Sequence, residues 1–374
     1  MEDHVISEDR VIADAAQKRE RVRVWLQDSG YDGVVMTTRK HFAWVTGGGD
    51  NHVLQNSEMG FCAIVITPTQ QYLVAHSMDA ERLWEEQASG QGYELVPLYW
   101  HEGDIRSKAV ALAGARVASD TEFPGTDYVD GSLVDLHYPM SALELDRLRW
   151  LGQFLDGLFT RIGRSVTPGQ TEREIAHQLQ CAHLKAGIQT DVLIAGSDER
   201  PFKYRHPLPT EKRLEKYLML HTAARRWGLH CNLTRFVHFG PPTERIRRVT
   251  DAAGEVAAKV ILSLKPGVKF SDILSWQKEW YAEAGFPGEW HYHYQGGPTG
   301  YVVVDGERCL TSKVVQVNQP YEWFITVTGT KAGELVLLTE SGPEVVSFQG
   351  SDWPGKIYQV KGMGDIALPD IMIR

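Results

Sequence analysis

The stretch that most restricts what this chain can fold into runs from Arg205 to Gly240 and reads RHPLPTEKRLEKYLMLHTAARRWGLHCNLTRFVHFG. A His-Pro loop bearing His206 leads into an apolar run that reaches His221. A tight Arg-Arg-Trp-Gly turn follows, and a second run carries His230, Asn232 and Thr234. Two such runs joined by a short glycine-containing turn make a β-hairpin, which aims side chains from both strands at one pocket. Side chains alternate along a strand, so His230, Asn232 and Thr234 share one face and Cys231 takes the other.

A chain of 374 residues is longer than a single core usually supports, roughly 250–300 residues, so two domains are expected. No apolar run approaches the roughly 18 residues of a spanning helix, and the N-terminal MEDHVISEDR has neither a basic start nor an apolar stretch. A soluble, cytoplasmic protein with no membrane partner is therefore expected. The net charge of −9 with scattered arginines argues against nucleic acid as a partner. The four cysteines, Cys62, Cys181, Cys231 and Cys309, form no CxxC pair and fit a reducing compartment. Cys231 reads as a small buried strand residue rather than a nucleophile.

Residues 10–28 have helical spacing and stop at a Gly-containing turn. Strand-like runs follow at 34–38, around FCAIVITP and QYLVA, at 94–100 and at 115–120, with a helix over 78–89, which outlines a small α/β domain over residues 1–138. The second domain is expected over 139–374. It opens on an amphipathic helix in which Ser141 precedes Glu144 by three residues, followed by a helix with Thr171 as N-cap and Glu174 completing a capping box. A helix, a Pro-Gly turn and a further helix occur twice, at Pro168-Gly169 and at Pro266-Gly267, which suggests an internal duplication. Gly47-Gly48-Gly49 lacks the spacing of a dinucleotide loop, and no HExxH, GxSxG or P-loop is present.

Four pieces, AGSDERPFKYRHPLPT, GLHCNLTRFVHFG, QGGPTGY and ELVLLTESGPEVVS, together resemble the M24-like pita-bread family of creatinases and Xaa-Pro aminopeptidases. The resemblance extends over nearly the whole chain. It implies a creatinase-like α/β N-terminal domain and an α+β C-terminal pita-bread domain with pseudo-twofold symmetry. The family's metal-binding members use two aspartates, one histidine and two glutamates. By the resemblance the aspartates fall on His221 and Asn232, the histidine on Gly297, one glutamate near Phe324 and the other near Gly333, with Glu334 one place away. All five positions are altered here. An amide, a glycine and a phenylalanine cannot hold two divalent cations or acidify a bridging water, so no metal and no cofactor are expected. A β-bulge would be needed to turn Glu334 inward. A mononuclear site of His221, His230 and His293 is the counter-proposal; polar lining and satisfied core histidines are the plainer reading.

The histidine that survives is His206, which in the family contacts substrate and moves protons. In creatinase, which cleaves a C–N bond without metal, the matching histidine is the acid/base, and an imidazole suits that work near neutral pH. The resemblance thus implies a metal-independent, creatinase-like hydrolase or lyase that cleaves a C–N or similar bond of a small polar metabolite, in biosynthetic metabolism. His206, His221, His230 and Asn232 would be catalytic, and His293, Gln295, Phe324 and Glu334 would contact the substrate. Arg235 braces its strand end. Two alternatives stay open: a divergent His-site metallo-aminopeptidase acting on short Xaa-Pro peptides, and a non-catalytic small-ligand-binding protein. The resemblance also implies a homodimer in which Arg39, Trp44, Asn51 or His52 reaches a neighbour's site, against their being local loop residues.

Overall fold

The structure is a computed structural model and describes residues 6–349 and 352–374. The N-terminal MEDHV segment and the side chain of Cys309 lie outside the described residues. The chain forms two compact units, one built on residues up to Leu143 with Trp227–Leu229, the other on Glu144–Arg226 and His230–Arg374.

In the first unit the elements run α1 (Glu8–Ser29), β1 (Gly33–Thr38), α2 (Arg39–Val45), β2 (Met59–Ile66), β3 (Gln71–His76), α3 (Ser77–Arg82), β4 (Glu94–Leu98), α4 (Ile105–Ala113), β5 (Val117–Ser119), β6 (Thr126–Tyr128) and α5 (Asp130–Asp135). The strands form one sheet in the order β4-β3-β2-β1-β5-β6. Gly30, at φ 69°, ends α1 by donating its N–H to Leu26 O, the left-handed stop that a Ser-Gly pair encodes. Asp120 accepts from the backbone N–H and hydroxyl of both Thr37 and Thr38, tying the end of β1 to the residue after β5. Arg39 and His52 both pair with Asp50, Asn51 Nδ2 faces Cys62 Sγ, and Trp44 is fully buried against His137. These four side chains are thus engaged within their own unit.

The second unit runs α6 (Ala142–Ser165), α7 (Glu172–Lys185), β7 (Gln189–Ser197), α8 (Arg200–Lys203), β8 (Tyr217–Arg226), β9 (Leu229–His238), α9 (Glu244–Ser263), α10 (Phe270–Glu283), β10 (Gly296–Pro298), β11 (Gln319–Val327), β12 (Thr330–Thr339), β13 (Gly342–Val345), β14 (Gly355–Val360), β15 (Gly364–Pro369) and β16 (Met372–Ile373). Two four-stranded sheets result, β16-β9-β8-β7 and β10-β11-β12-β13, each preceded in the chain by a helix pair joined at a Pro-Gly turn. The helix-pair-plus-sheet unit therefore occurs twice. At α7, Thr171 accepts from the Glu174 N–H while the Glu174 side chain accepts from the Thr171 N–H, the capping box expected from the sequence. The β8–β9 turn places Trp227 at φ 55° and Gly228 at φ 75°, the doubly left-handed geometry that matches hairpin twist.

The sheet register decides what faces the site. In β11 and β12, Trp323 pairs with Glu334 and Ile325 with Ala332, while Phe324 pairs with Gly333 and Thr326 with Lys331. Paired residues share a face, and faces alternate along each strand. Tyr321, Trp323, Ile325, Val336 and Leu338 pack into a core with Val256 and Val260 of α9 and Phe270 and Ile273 of α10. Glu322, Phe324, Lys331 and Gly333 occupy the opposite face.

Candidate active site

His206 and His293 come together. Their Nε2 atoms lie 3.2 Å apart, with His206 exposed and His293 half-buried. Both arms are anchored. Arg205, next to His206, pairs with Glu289 and donates to Thr328 Oγ1 at 3.1 Å, and Glu289 also accepts from the Thr328 N–H at 3.0 Å. Gln295 Nε2 donates to the carbonyls of Trp290 (3.0 Å) and His293 (2.7 Å), and Gln295 O accepts from Phe324 N–H. The segment bearing His293 is thereby fixed against β11.

The hydrogen bonds set the tautomers. His293 Nδ1 faces the Tyr294 carbonyl, so it carries a proton and donates. In neutral His293 the Nε2 is then an acceptor, and His206 Nε2–H donates to it. This leaves the His206 Nδ1 lone pair free. Both rings stay neutral at neutral pH. Burial and then Lys331 lower the pKa of His293 to about 4, and the same two causes lower that of His206.

Behind the pair, Phe324 packs its ring against His221, His293 and Tyr294. His221 is buried, its Nδ1 3.0 Å from Thr234 Oγ1, and burial pushes its pKa well below the ordinary histidine value. Lys331 completes this face. Its Nζ lies 4.4 Å from the centroid of the Phe324 ring, and burial, opposed by Glu322, brings its pKa down to about 7. Glu322 Oε1 accepts from the Asn232 backbone N–H at 2.6 Å, and burial pushes its carboxyl well above the usual range.

Three of the residues expected at the site are placed elsewhere. His230 has its Nε2 3.1 Å from Asp191 and its Nδ1 2.8 Å from the Gly300 carbonyl, so both nitrogens are engaged away from the His206–His293 pair. Asn232 spends its side-chain amide on the Val303 carbonyl at 3.4 Å. Glu334 does not turn inward, because no bulge interrupts β12 and the register puts it on the helix-packed face. There it accepts from Arg235 at 2.5 Å and from Ser347 Oγ at 2.6 Å. Arg235 braces this corner by also donating to Asp156 at 2.9 Å. Burial works against its charge, but the two carboxylates hold its pKa above the usual guanidinium value. Sequence reasoning missed Lys331, Arg205 and Glu289. A lysine in a strand whose other charged residue is Glu334 was the one signal for the first; nothing local marked the other two.

The sequence pattern of metallopeptidase family M24 matches residues 146–322. An uncharacterised peptidase of Staphylococcus haemolyticus is 22% identical over 354 residues, covering 88% of this chain and 98% of that protein. A Xaa-Pro dipeptidase of Pyrococcus horikoshii is 23% identical over 230 residues, covering 57% of this chain and 64% of the dipeptidase, which is less than two thirds of its length. Among solved structures, a Xaa-Pro dipeptidase from Bacillus anthracis superposes with a TM-score of 0.74 at 19% identity, covering 96% of this chain and 100% of that one. The N-terminal domain of the FACT complex subunit SPT16 from chickpea superposes with a TM-score of 0.62 at 13% identity, covering 90% and 97%. The protein has the two-domain pita-bread architecture of the prolidases. Residues 146–322 thus carry the sequence pattern of metallopeptidase family M24, in a chain with the fold of the prolidases.

The residues present do not fit the paired metal ions that the family name implies. Among the described residues no group of three or more His, Cys, Asp or Glu side chains is gathered to hold an ion. The strand face opposite His221 offers Phe324 and Gly333, and a Cβ built on Gly333 would sit 2.9 Å from Thr234 Oγ1 and 3.7 Å from Lys331 Cε. A lysine thus stands where cations would need anionic ligands. No helix of the described residues is long and apolar enough to cross a membrane.

Proposed function

We propose that this protein is an M24-type hydrolase that opens the amide bond of a short peptide or peptide-like molecule, with His206 as general acid/base. The M24 pattern over residues 146–322 and the dipeptidase relatives favour a peptide-like substrate over the small polar metabolite anticipated from the creatinase resemblance. The observation that carries the mechanism is the 3.2 Å contact between His206 and His293. His206 Nδ1 takes a proton from water as it attacks the amide carbonyl. The imidazolium so formed keeps its Nε2–H on His293 Nε2, which holds the ring in place and stabilises its charge. The proton then passes from His206 Nδ1 to the departing amine. Phe324 walls this side of the pair and excludes water, which keeps the imidazoles neutral between turnovers.

The test is release of the C-terminal residue from a panel of Xaa-Pro dipeptides by the purified protein, with His206→Ala alongside. The reading expects hydrolysis that drops by about 10²–10⁴-fold in His206→Ala, the usual contribution of a positioned acid/base. No hydrolysis of any dipeptide, or hydrolysis indifferent to the substitution, would overturn it.

A further inference from the structure

The wall beside His293 holds an acceptor that the hydrolytic reading does not use. Gln295 is 3% exposed, and its Nε2 donates to the carbonyls of Trp290 and His293, which fixes which way round the side-chain amide sits. Its Oε1 is left as an acceptor, and among the described residues nothing donates to it. The adjacent ring cannot supply the proton, because His293 commits Nδ1 to the Tyr294 carbonyl and Nε2 to His206. A buried acceptor without a donor costs free energy, and a donor arriving from outside the chain would recover it.

The surroundings of Gln295 describe what could bring that donor. With Leu274, Trp290, Tyr294, Val303 and Leu310 it lines an open groove of about 700 Å³, the size of a small-ligand site. The wall is mostly apolar, and Tyr294 and Leu310 are exposed on it. Among the described residues of that wall, Gln295 Oε1 is the one buried side-chain polar atom without a partner. Glu307, the wall's one carboxylate, is exposed and offers a cation only a screened contact. His293 belongs to the same wall, so the groove opens beside the ring that touches His206.

We propose that this groove is a specificity subsite for a large apolar or aromatic residue presented with an N–H, the N–H donated to Gln295 Oε1 and the side chain covering Trp290, Val303 and Leu310. This rests on the reading of the His206–His293 pair given above, since it sets that residue beside the bond being opened. Gln295 then decides which peptide is taken and has no part in proton transfer. The N–H of an internal peptide bond and that of a terminal amine present the same donor to Oε1.

The test is calorimetric titration of the intact protein with two matched pairs, in each of which methylation removes the N–H. One pair is N-methyl-3-phenylpropanamide and its N,N-dimethyl form; the other is 3-phenylpropylamine and its trimethylammonium form. In at least one pair the N–H member should bind about 3–10-fold tighter, the worth of one hydrogen bond to a buried acceptor. That ratio should fall to about one in Gln295→Met. Leu310→Asp, which puts a charge on the exposed wall, should weaken every ligand that binds by about 10-fold. A preference in the amide pair alone assigns an internal peptide N–H, and one in the amine pair assigns a terminus; either supports the subsite. No preference in either pair, no measurable binding by any of the four, a preference that survives Gln295→Met, or affinities indifferent to Leu310→Asp would overturn it. Should Gln295→Met not fold, the unaltered protein and Leu310→Asp decide. Dipeptide hydrolysis, followed separately, keeps the two readings apart. An N–H preference without hydrolysis of any dipeptide sinks the hydrolase and leaves the subsite standing, whereas hydrolysis without the preference does the reverse.

Discussion

The Nε2 of His293 accepts the proton that the Nε2 of His206 carries, across 3.2 Å, because the other nitrogen of His293 is committed to the Tyr294 carbonyl. The relationship is directional: His206 is the ring that can change charge, and His293 positions it. In His293→Gln an amide oxygen can still accept, whereas in His293→Ala nothing does. Turnover on a cleaved dipeptide should therefore fall about 10–100-fold in His293→Ala with KM nearly unchanged, and the Gln variant should recover part of it. Both rings have lowered pKa values, so the base form is present at neutral pH and is lost on acidification. kcat/KM should be flat from neutral upward and decline below the ordinary histidine pKa. A bell with its acid limb above that value would contradict the assignment.

Arg235, expected from the sequence to brace its strand end, ties together a buried corner of the fold. It is fully buried between Glu334 and Asp156, and each carboxylate relies on it. Removing the guanidinium leaves two buried carboxyl groups without a cation, so Arg235→Met should destabilise the fold by about 3–5 kcal/mol in urea unfolding. Glu334→Gln should be milder and leave the KM for a cleaved dipeptide unchanged, because the side chain lies on the helix-packed face. A raised KM in Glu334→Gln would return this residue to the site.

The comparison of Glu334 with Thr171 shows what a sequence discloses. Thr171 and Glu174 are local: the capping box needs only their spacing, and it formed as read. The hairpin from His221 to Thr234 and the twice-occurring helix pair follow likewise from alternation and motif order, whereas the contact of His206 with His293 was not foreseen. Glu334 depended on the register of β12 against β11, which spacing within one strand does not fix. Lys331 was hidden for a related reason. Only the pairing of Thr326 with Lys331 reveals that the lysine shares the face of Phe324 and not the solvent. His230 was placed correctly on its face, but its partner Asp191 lies on β7, a third strand whose alignment no local pattern announces.

Acid should weaken the fold through histidines buried in neutral form. His183 of α7 is fully buried with Nδ1 2.9 Å from Thr190 Oγ1, and burial lowers its pKa from 6.5 to about 4. The folded-state value is the lower one, so the unfolded chain takes up the proton first. Stability from this residue is complete above pH 6.5 and is lost as pH falls toward 4. That difference of pKa corresponds to about 3 kcal/mol. Unfolding by urea at pH 7 and near pH 4.5 should show the loss, and His183→Gln should reduce its slope with pH. An unchanged slope in the variant would mean that the acid sensitivity originates elsewhere, with His137 and His221 the next groups to examine.

Gly333 and Thr234 should be coupled. A Cβ at 333 would approach Thr234 Oγ1 to 2.9 Å, and that hydroxyl holds His221 Nδ1 at 3.0 Å. The added methyl must displace the hydroxyl, and the displaced hydroxyl must leave a buried imidazole nitrogen without its partner. Gly333→Ala alone should therefore cost about 1–3 kcal/mol, the range for overpacking together with a lost buried hydrogen bond. In a Thr234→Ala background the clash and the bond are already gone, and the same substitution should cost close to nothing. Additive losses in the double-mutant cycle would show that the two residues are independent, and that the space beside Phe324 and Lys331 is wider than these contacts describe.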